Sequence, residues 1–129
     1  MKKTIFILAF LIINLSFSLK NSTNNYTINV IAESRNNYEL SGSDIIGLVK
    51  GSDPELTFLV GSKIVFLINA PGHPFYLKVR PGTGKKDQIE NIENNGNTKG
   101  SISWVPQKPG KYYYQCAKHK NMVGVINIR

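Results

Sequence analysis

Short runs of alternating apolar and polar residues recur along the chain from residue 26 onward. Each run is shorter than a helix of ordinary length, and Gly, Pro, Asn and Asp separate the runs, which is typical of β-strands joined by turns. We predict strands at residues 26–32, 38–40, 56–60, 63–68, 75–79, 101–104, 111–116 and 123–128. Strands of this length and spacing, without a convincing helix, predict an all-β protein folded as an antiparallel two-sheet sandwich.

Two long connections interrupt the predicted strands. Residues 42–53 and residues 80–100 are rich in turn-forming side chains, so we expect both to be loops. A loop of about twenty residues is unusual in a compact domain unless it has a function or contains a helical turn. Residues 88–94 could form such a turn, but a plain solvated loop is the favoured interpretation.

The first eighteen residues have the pattern of a secretory signal. Lys2 and Lys3 precede an unbroken apolar run at residues 5–13, and the small residues Ser16 and Ser18 flank one larger residue. We predict cleavage after Ser18, because an apolar run this short does not reach the ~20 residues that span a bilayer. An uncleaved membrane anchor is the less favoured alternative. The mature protein is therefore expected to be secreted or periplasmic, with no membrane span.

The predicted organisation is a signal peptide at 1–18, a flexible polar lead-in at 19–25 and a single domain at 26–129. Asn21 and Asn25 each begin an acceptor pattern for glycosylation, but an asparagine-rich stretch also matches this pattern by chance. The chain has 129 residues, 41% of them hydrophobic, which suits one packed domain that we expect to be a monomer. A single cysteine excludes a disulfide within the chain.

The positive charge of the chain indicates what kind of partner it meets. The net charge is +8, which favours negatively charged partner surfaces and raises association rates more than it affects the fold. Nucleic acid is the alternative partner, but the lysines are scattered and no nucleic-acid motif is present. We therefore predict a protein partner with an acidic surface and no nucleic acid.

Three side chains that can bind a metal follow the aromatic strand at 111–116. Cys116, His119 and Met122 are each three residues apart, a spacing that neither a helix nor a strand aims at one point. A bent loop can do so. A thiolate, an imidazole and a thioether form a soft donor set that suits copper better than zinc. His73, the only other histidine, follows a turn signal and is the remaining candidate ligand.

These segments resemble the cupredoxin family of small blue copper proteins. The resemblance rests on residues 110–116, on the loop through Met122, on Val123 and Gly124 entering the last strand, and on residues 71–73 upstream. It implies a Greek-key β-sandwich and one type 1 copper ion. It also implies that the copper ligands are His73, Cys116, His119 and Met122, in a loop similar to the amicyanin type. The implied function is single-electron transfer between redox partner proteins.

Catalytic functions are disfavoured by the residues that the chain lacks. A Cys-His nucleophile pair needs an orienting partner and an oxyanion site, and the chain has no local protease signature. Two histidines and one cysteine cannot form a multicopper oxidase centre or a binuclear copper site. We therefore predict that the protein is not an enzyme. A copper carrier or storage protein and a copper-stabilised interaction module remain as alternatives.

Strand alternation also predicts the surroundings of the site. Tyr112 and Tyr114 should lie in the core on the same face as Cys116, whereas Tyr113 and Gln115 should point the other way. Electrons are expected to leave through an exposed edge of His119. The apolar surface around that edge is assigned to Ala117, Phe75 and Met122. Lys78, Lys118 and Lys120 either form a ring of cations around it or only keep the surface soluble.

Pro74 departs from the pattern that the resemblance implies. In the better-known cupredoxins, the residue after the first histidine donates its backbone N–H to the cysteine sulfur. Proline has no N–H to donate. Because hydrogen bonds to a thiolate tune the potential of the metal that it binds, Pro74 is expected to influence the reduction potential.

Overall fold

The structure, a computed structural model, describes residues 23–129. The predicted signal peptide and the acceptor Asn21 lie outside the described residues. The described part forms nine strands: β1 (Asn25–Ile31), β2 (Glu39–Ser43), β3 (Leu48–Ser52), β4 (Leu56–Phe58), β5 (Lys63–Asn69), β6 (Phe75–Lys78), β7 (Lys99–Trp104), β8 (Gly110–Cys116) and β9 (Val123–Ile128). Strand β1 begins at the last residue of the predicted lead-in. Within 23–129 no helix is long and apolar enough to cross a bilayer.

The strands form two sheets, as the sequence predicted. One sheet has the order β3-β2-β1-β5-β7 and the other has the order β4-β9-β8-β6. Both sheets are mixed rather than purely antiparallel, because β1 pairs with β5 and β4 pairs with β9 in parallel. Parallel neighbours need a long connection, and here the intervening strands and loops provide it. Alternation within a strand carries no information about the direction of its neighbour, so these two pairs were not foreseen.

The core lies between the sheets, and in strands such as β1, β5 and β9 it is made by alternate residues. Ile64, Phe66 and Ile68 of β5 are buried, whereas Lys63, Leu67 and Asn69 are exposed. The other strands add buried aliphatic and aromatic side chains from both sides, including Ile28, Val30, Leu56, Phe58, Phe75, Leu77, Ile102, Trp104, Tyr114 and Ile126. Full burial of one such side chain stabilises a fold by about 1.5–3 kcal/mol.

The prediction that residues 42–53 form a loop is wrong. Strand β3 occupies Leu48–Ser52 and forms a hairpin with β2, which extends to Ser43. Leu48 is 86% exposed, so this edge strand shows little of the alternation that identifies a half-buried strand. The side chain of Asp44 organises the turn by accepting hydrogen bonds from the backbone N–H groups of Ile46, Gly47 and Thr57.

The long connection between β6 and β7 contains no helix at 88–94 and instead covers the exposed edge of β6. Ile89 N–H donates to the carbonyl of Leu77 over 2.9 Å. The Asn95 side chain accepts a hydrogen bond from Leu77 N–H at 2.8 Å and donates to its carbonyl at 3.1 Å. An edge strand with its polar groups paired in this way is protected from pairing with another chain.

Candidate metal centre

The structure brings His73, Cys116 and His119 together at one end of the sandwich. The Cys116 Sγ atom lies 3.6 Å from His119 Nδ1 and 3.9 Å from His73 Nδ1. One donor atom from each of the three side chains lies within 4.8 Å of the other two. The two imidazole rings are tilted by 40° with centroids 5.0 Å apart. Two segments 43 residues apart in sequence therefore converge on a single point.

These distances fit a shared metal ion. Nitrogen and sulfur ligands bind transition metals at about 2.0–2.3 Å, which places two ligands of one ion roughly 3.5–3.8 Å apart at ordinary bond angles. The sulfur-to-nitrogen distances of 3.6 and 3.9 Å agree with this separation. A thiolate with two imidazoles, joined by a thioether, is the donor set of a single type 1 copper site.

Met122 lies in the same loop and its side chain is buried. The Met122 N–H donates to the carbonyl of His119 at 3.2 Å, and the Met122 carbonyl accepts from the N–H of Cys116 at 2.9 Å. These bonds close the loop between β8 and β9 into a compact turn that contains Cys116, His119 and Met122. The assignment of Met122 as the weak fourth ligand stays a prediction.

His73 is placed by a tight turn that leads into β6. Its N–H donates to the carbonyl of Ala70 at 3.0 Å, and Gly72 has a φ of 79°, which glycine adopts without strain. The hydroxyl of Tyr38 contacts the carbonyls of His73 at 3.0 Å and Pro74 at 3.1 Å. Tyr38 is fully buried, and this burial, reinforced by Cys116, raises the pKa of its hydroxyl far above the ordinary value. Tyr38 therefore stays a neutral donor beside the site.

The sequence interpretation did not identify Tyr38 as a residue of the site. Tyr38 stands at the start of a short predicted strand, 35 residues before His73, and nothing in its neighbourhood signals the contact. Its hydroxyl can reach the His73 carbonyl only because the two sheets pack face to face. The contact is a property of the sandwich, which a local pattern does not encode.

The thiol of Cys116 receives one backbone hydrogen bond, from the N–H of Lys118 at 3.5 Å. Pro74 cannot provide a second one, as predicted from its lack of an N–H. Its carbonyl instead accepts the N–H of Ala117 at 3.1 Å, which joins the His73 segment to the ligand loop. Burial, followed by the nearby His119 and Lys118, holds the pKa of His73 below its ordinary value. A lowered pKa favours the neutral imidazole that metals bind.

Gln115 is fully buried, so it is not part of the surface around the site. Its side chain does point away from Tyr114 and Cys116, but a loop covers it. The Gln115 Oε1 atom accepts the N–H of Gly82 at 3.0 Å. Its Nε2 atom lies 3.0–3.4 Å from four carbonyl oxygens, those of Cys116, His119, Lys120 and Met122. Gln115 is therefore the internal anchor of the ligand loop.

Three assignments to the exposed surface are wrong. Lys78 is 1% exposed, and its ammonium group donates to the carbonyls of Gly82 at 2.5 Å and Gly84 at 3.0 Å. Burial lowers the pKa of Lys78, although nearby Asp87 opposes this effect. Phe75 and Met122 are also fully buried. Lysine usually lies at the surface, so its burial here could be found only from the loop that folds over it.

The aromatic residues beneath the site are arranged partly as predicted. Tyr114 is fully buried, stacks on Phe75 with ring centroids 5.6 Å apart, and donates its hydroxyl to the carbonyl of Pro54 at 2.6 Å. Burial raises the pKa of the Tyr114 hydroxyl well above its ordinary value. Tyr112 is only partly buried and packs edge-on against Trp104 at the opposite end of β8.

The chain is similar to several solved structures, and the two rusticyanin structures given first support the architecture. Rusticyanin from Thiobacillus ferrooxidans superposes with a TM-score of 0.55 and 16% identity, over 81% of this chain and 76% of its own. A structure of reduced rusticyanin gives a TM-score of 0.51 and 18% identity, over 81% of this chain and 78% of its own. A purple cupredoxin from Nitrosopumilus maritimus matches with a TM-score of 0.48 and 18% identity, over 80% and 98% of the two chains.

No protein family model matches the chain, and no curated protein matches its sequence. At identities of 16–18%, the likeness to rusticyanin establishes the fold alone. The chain therefore has the cupredoxin fold that the sequence indicated.

Proposed function

We propose that this chain, which has the cupredoxin fold, binds one copper ion and carries single electrons between redox partner proteins outside the cytoplasm. The proposed ligands are His73, Cys116, His119 and Met122. The observation that carries the proposal is the approach of two imidazole Nδ1 atoms to within 3.9 Å of one cysteine sulfur. A thiolate between two imidazoles suits copper in both of its common oxidation states.

Bound copper would supply a one-electron change between Cu(I) and Cu(II). The protein would supply a site that does not rearrange when the charge changes. Hydrogen bonds within the loop, the Gln115 anchor and the Tyr38 contact to His73 all hold the ligand side chains in place. A rigid site needs little reorganisation at the moment of transfer, which is how preorganised sites lower barriers in general.

Electrons are proposed to pass through the partly exposed imidazole of His119. The other proposed ligands from the loop, Cys116 and Met122, are fully buried, so they do not meet a partner directly. No bond is made or broken on a substrate in this role, and the protein would act as a carrier rather than an enzyme. It would function as a monomer that meets its partners transiently.

The proposed compartment rests on the N-terminal sequence. Two lysines, an apolar run and a small-residue cleavage motif indicate export, with the mature protein beginning after Ser18. Removal of Lys2 and Lys3 would leave a net charge of +6 on the mature chain. This charge supports a partner with an acidic surface.

The test is titration of the purified mature chain with copper(II), followed by visible absorption and electron paramagnetic resonance. We expect one equivalent to produce an intense thiolate-to-copper absorption band that a reductant bleaches and an oxidant restores. Cys116→Ser should abolish the band, because the hydroxyl of serine is a far weaker ligand than a thiolate. Lys111→Gln, a change in an exposed residue at the far end of β8, is the matched control and should leave the band unchanged.

Two other outcomes would contradict the proposal. A colourless complex that forms only with copper(I) would favour a copper carrier or storage protein. Metal that raises the unfolding temperature but exchanges no electrons with soluble redox proteins would favour a copper-stabilised interaction module.

A further inference from the structure

Two loops beside the proposed electron exit are joined by a backbone hydrogen bond. The N–H of Gly84 donates to the carbonyl of Ala117 at 2.8 Å. The segment that follows β6 therefore lies directly against the ligand loop. Together the two loops present five exposed cationic side chains, which we call the basic rim: Arg80, Lys85, Lys86, Lys118 and Lys120.

The basic rim is held in position from inside the protein. The buried ammonium of Lys78 bonds the carbonyls of Gly82 and Gly84, and Gln115 accepts the N–H of Gly82. The same Gln115 side chain contacts the carbonyls of His119 and Lys120 in the ligand loop. The buried side chains of Lys78 and Gln115 thus hold both loops of the basic rim in place relative to His119.

The opposite side of the site is less basic, because acidic side chains are mixed with its cations. Tyr38 contacts the His73 carbonyl, so the segment around Tyr38 borders the site from the other sheet. Residues 33–39 of this segment contain Glu33, Glu39 and the cation Arg35, and Asp53 is hydrogen-bonded to Tyr38. Lys50 lines the same groove as Glu33 and Glu39. On the side of the basic rim, Asp87 is the one acidic residue at positions 80–87 and 117–122. Charge is therefore distributed unevenly around the site.

We propose that the basic rim is the surface on which an acidic redox protein docks. This inference rests on the proposed function and adds the location and sign of the partner contact. Carboxylates of the partner would pair with Lys85, Lys86 and Lys118, which would place the partner beside the His119 edge. Charge complementarity of this kind raises association rates by about 10- to 1,000-fold and weakens as salt screens it. The less basic side of the site would disfavour the reversed orientation.

The experiment compares electron transfer from an acidic and a basic soluble c-type cytochrome to the copper-loaded protein by stopped-flow absorption. The test variant is Lys85→Glu with Lys86→Glu. The matched control is Lys108→Glu with Lys111→Glu, which makes the same charge change at exposed positions near the start of β8. Lys111 is five residues before Cys116 on this strand, which places it roughly 17 Å from Cys116.

We expect the wild-type protein to react faster with the acidic cytochrome, and its rate to fall as salt is added. The test variant should lose about tenfold or more in rate at low salt and lose most of its salt dependence. The control variant should stay within about twofold of wild type. Equal losses in both variants would show that net charge alone steers the reaction, and would overturn the proposed surface.

The proposed docking surface and the proposed copper site can be tested independently of each other. Amide chemical shifts measured on the metal-free protein should move around Lys85, Lys86 and Lys118 when the acidic cytochrome is added, whether or not electrons pass. Shifts confined to other faces would overturn the surface while leaving a normal copper spectrum intact. A missing copper spectrum with shifts in the rim would overturn the proposed function and keep the surface.

Discussion

Four carbonyl oxygens of the ligand loop lie within 3.4 Å of the Gln115 amide nitrogen, which has only two hydrogens to share among them. An apolar side chain at this buried position would leave carbonyl groups without partners. A buried group that loses its hydrogen bond costs about 1–3 kcal/mol. At the residue scale, the shape of the ligand loop thus depends on one amide that is not itself a ligand.

Replacement of Gln115 by leucine should destabilise the protein and loosen the loop. Leucine is similar in size but cannot bond the loop carbonyls or the Gly82 N–H, so we expect a loss of about 2–4 kcal/mol in the free energy of unfolding. Hydrogen exchange at residues 117–122 should also become faster. Gln107→Leu is the control, because Gln107 is exposed and should change stability by less than about 0.5 kcal/mol. Similar effects from both variants would contradict the anchoring role.

Replacement of Pro74 by alanine should raise the reduction potential of the copper-loaded protein. Alanine restores a backbone N–H beside the thiolate, and a hydrogen bond there withdraws charge from sulfur and favours Cu(I). A bond worth about 1 kcal/mol corresponds to tens of millivolts for one electron. Voltammetry of the two proteins measures the change directly. An unchanged or lower potential would contradict this prediction. The Lys118 N–H would then be the only backbone hydrogen bond that affects the potential through the sulfur.

At the scale of the strand, β8 and β9 pair antiparallel, and Tyr114 lies directly opposite Gly124. A Cβ atom on Gly124 would overlap the Tyr114 ring, yet the backbone of Gly124 has none of the positive φ values found at other glycines. The glycine is therefore needed for space rather than for conformation. The ring fills that space and donates its hydroxyl to the carbonyl of Pro54.

Gly124→Ala should lower the free energy of unfolding by about 3 kcal/mol, because the added methyl group must displace a fully packed aromatic ring. The control is the same change in a Tyr114→Leu background, where the ring is absent. There we expect Gly124→Ala to cost less than about 1 kcal/mol, and chemical denaturation of the four proteins measures the coupling. Equal costs in both backgrounds would show that the ring does not set the requirement for glycine.

Elements that bury one face were predictable from sequence, and elements that do not were missed. Burial alternates clearly in strands β5 and β9, and their positions followed from the pattern. Strand β3 contains a glycine and an almost fully exposed leucine, so it has no such pattern and was taken for a loop. The parallel pairs were missed for another reason, since pairing direction depends on how the sheets connect rather than on any one strand.

The site was predictable where the type of side chain alone indicates metal binding. Cys116, His119 and His73 were recognisable because few other residues could bind a soft metal. Lys78 was misjudged, because it was expected to belong to an exposed ring of cations and residues 82–84 cover it. The direction of Gln115 was predicted, but the contact of its side chain with the same loop was not. A loop that folds over a polar residue leaves no trace in that residue's own neighbourhood.

At the scale of the whole molecule, a partly buried carboxylate links the two ends of the β2–β3 hairpin near the site. Asp53 accepts the N–H of Tyr38 at 2.9 Å through Oδ1, and its own N–H donates to the Tyr38 carbonyl at 2.8 Å. Partial burial raises the pKa of Asp53 from 3.8 to about 6. The charge of Glu39 adds to this effect, and the hydrogen bond from Tyr38 opposes it. Folding and proton binding are therefore linked at this residue.

Asp53 should make the folded protein more stable in mild acid than at neutral pH. An unfolded chain loses the Asp53 proton near pH 3.8, whereas the folded chain keeps it up to about pH 6. The folded state thus binds more protons in this window, and the stabilising contribution is lost as pH rises through it. Because Asp53 is partly exposed, solvent screening should limit the effect to about 1 kcal/mol.

The measurement compares unfolding free energies of metal-free wild-type and Asp53→Asn proteins at pH 4.5 and pH 7.5, values chosen to lie roughly within and above this window. Asparagine keeps an oxygen that can accept the Tyr38 N–H but cannot titrate, and protonation of the histidines is common to both proteins and cancels. We expect wild type to gain stability relative to the variant on acidification. Glu93→Gln, which removes an exposed carboxylate, is the control for the change in net charge. If the difference in unfolding free energy between wild type and Asp53→Asn is the same at both pH values, the Asp53 proton does not contribute to folding. Asp53 would then act only by accepting the Tyr38 N–H.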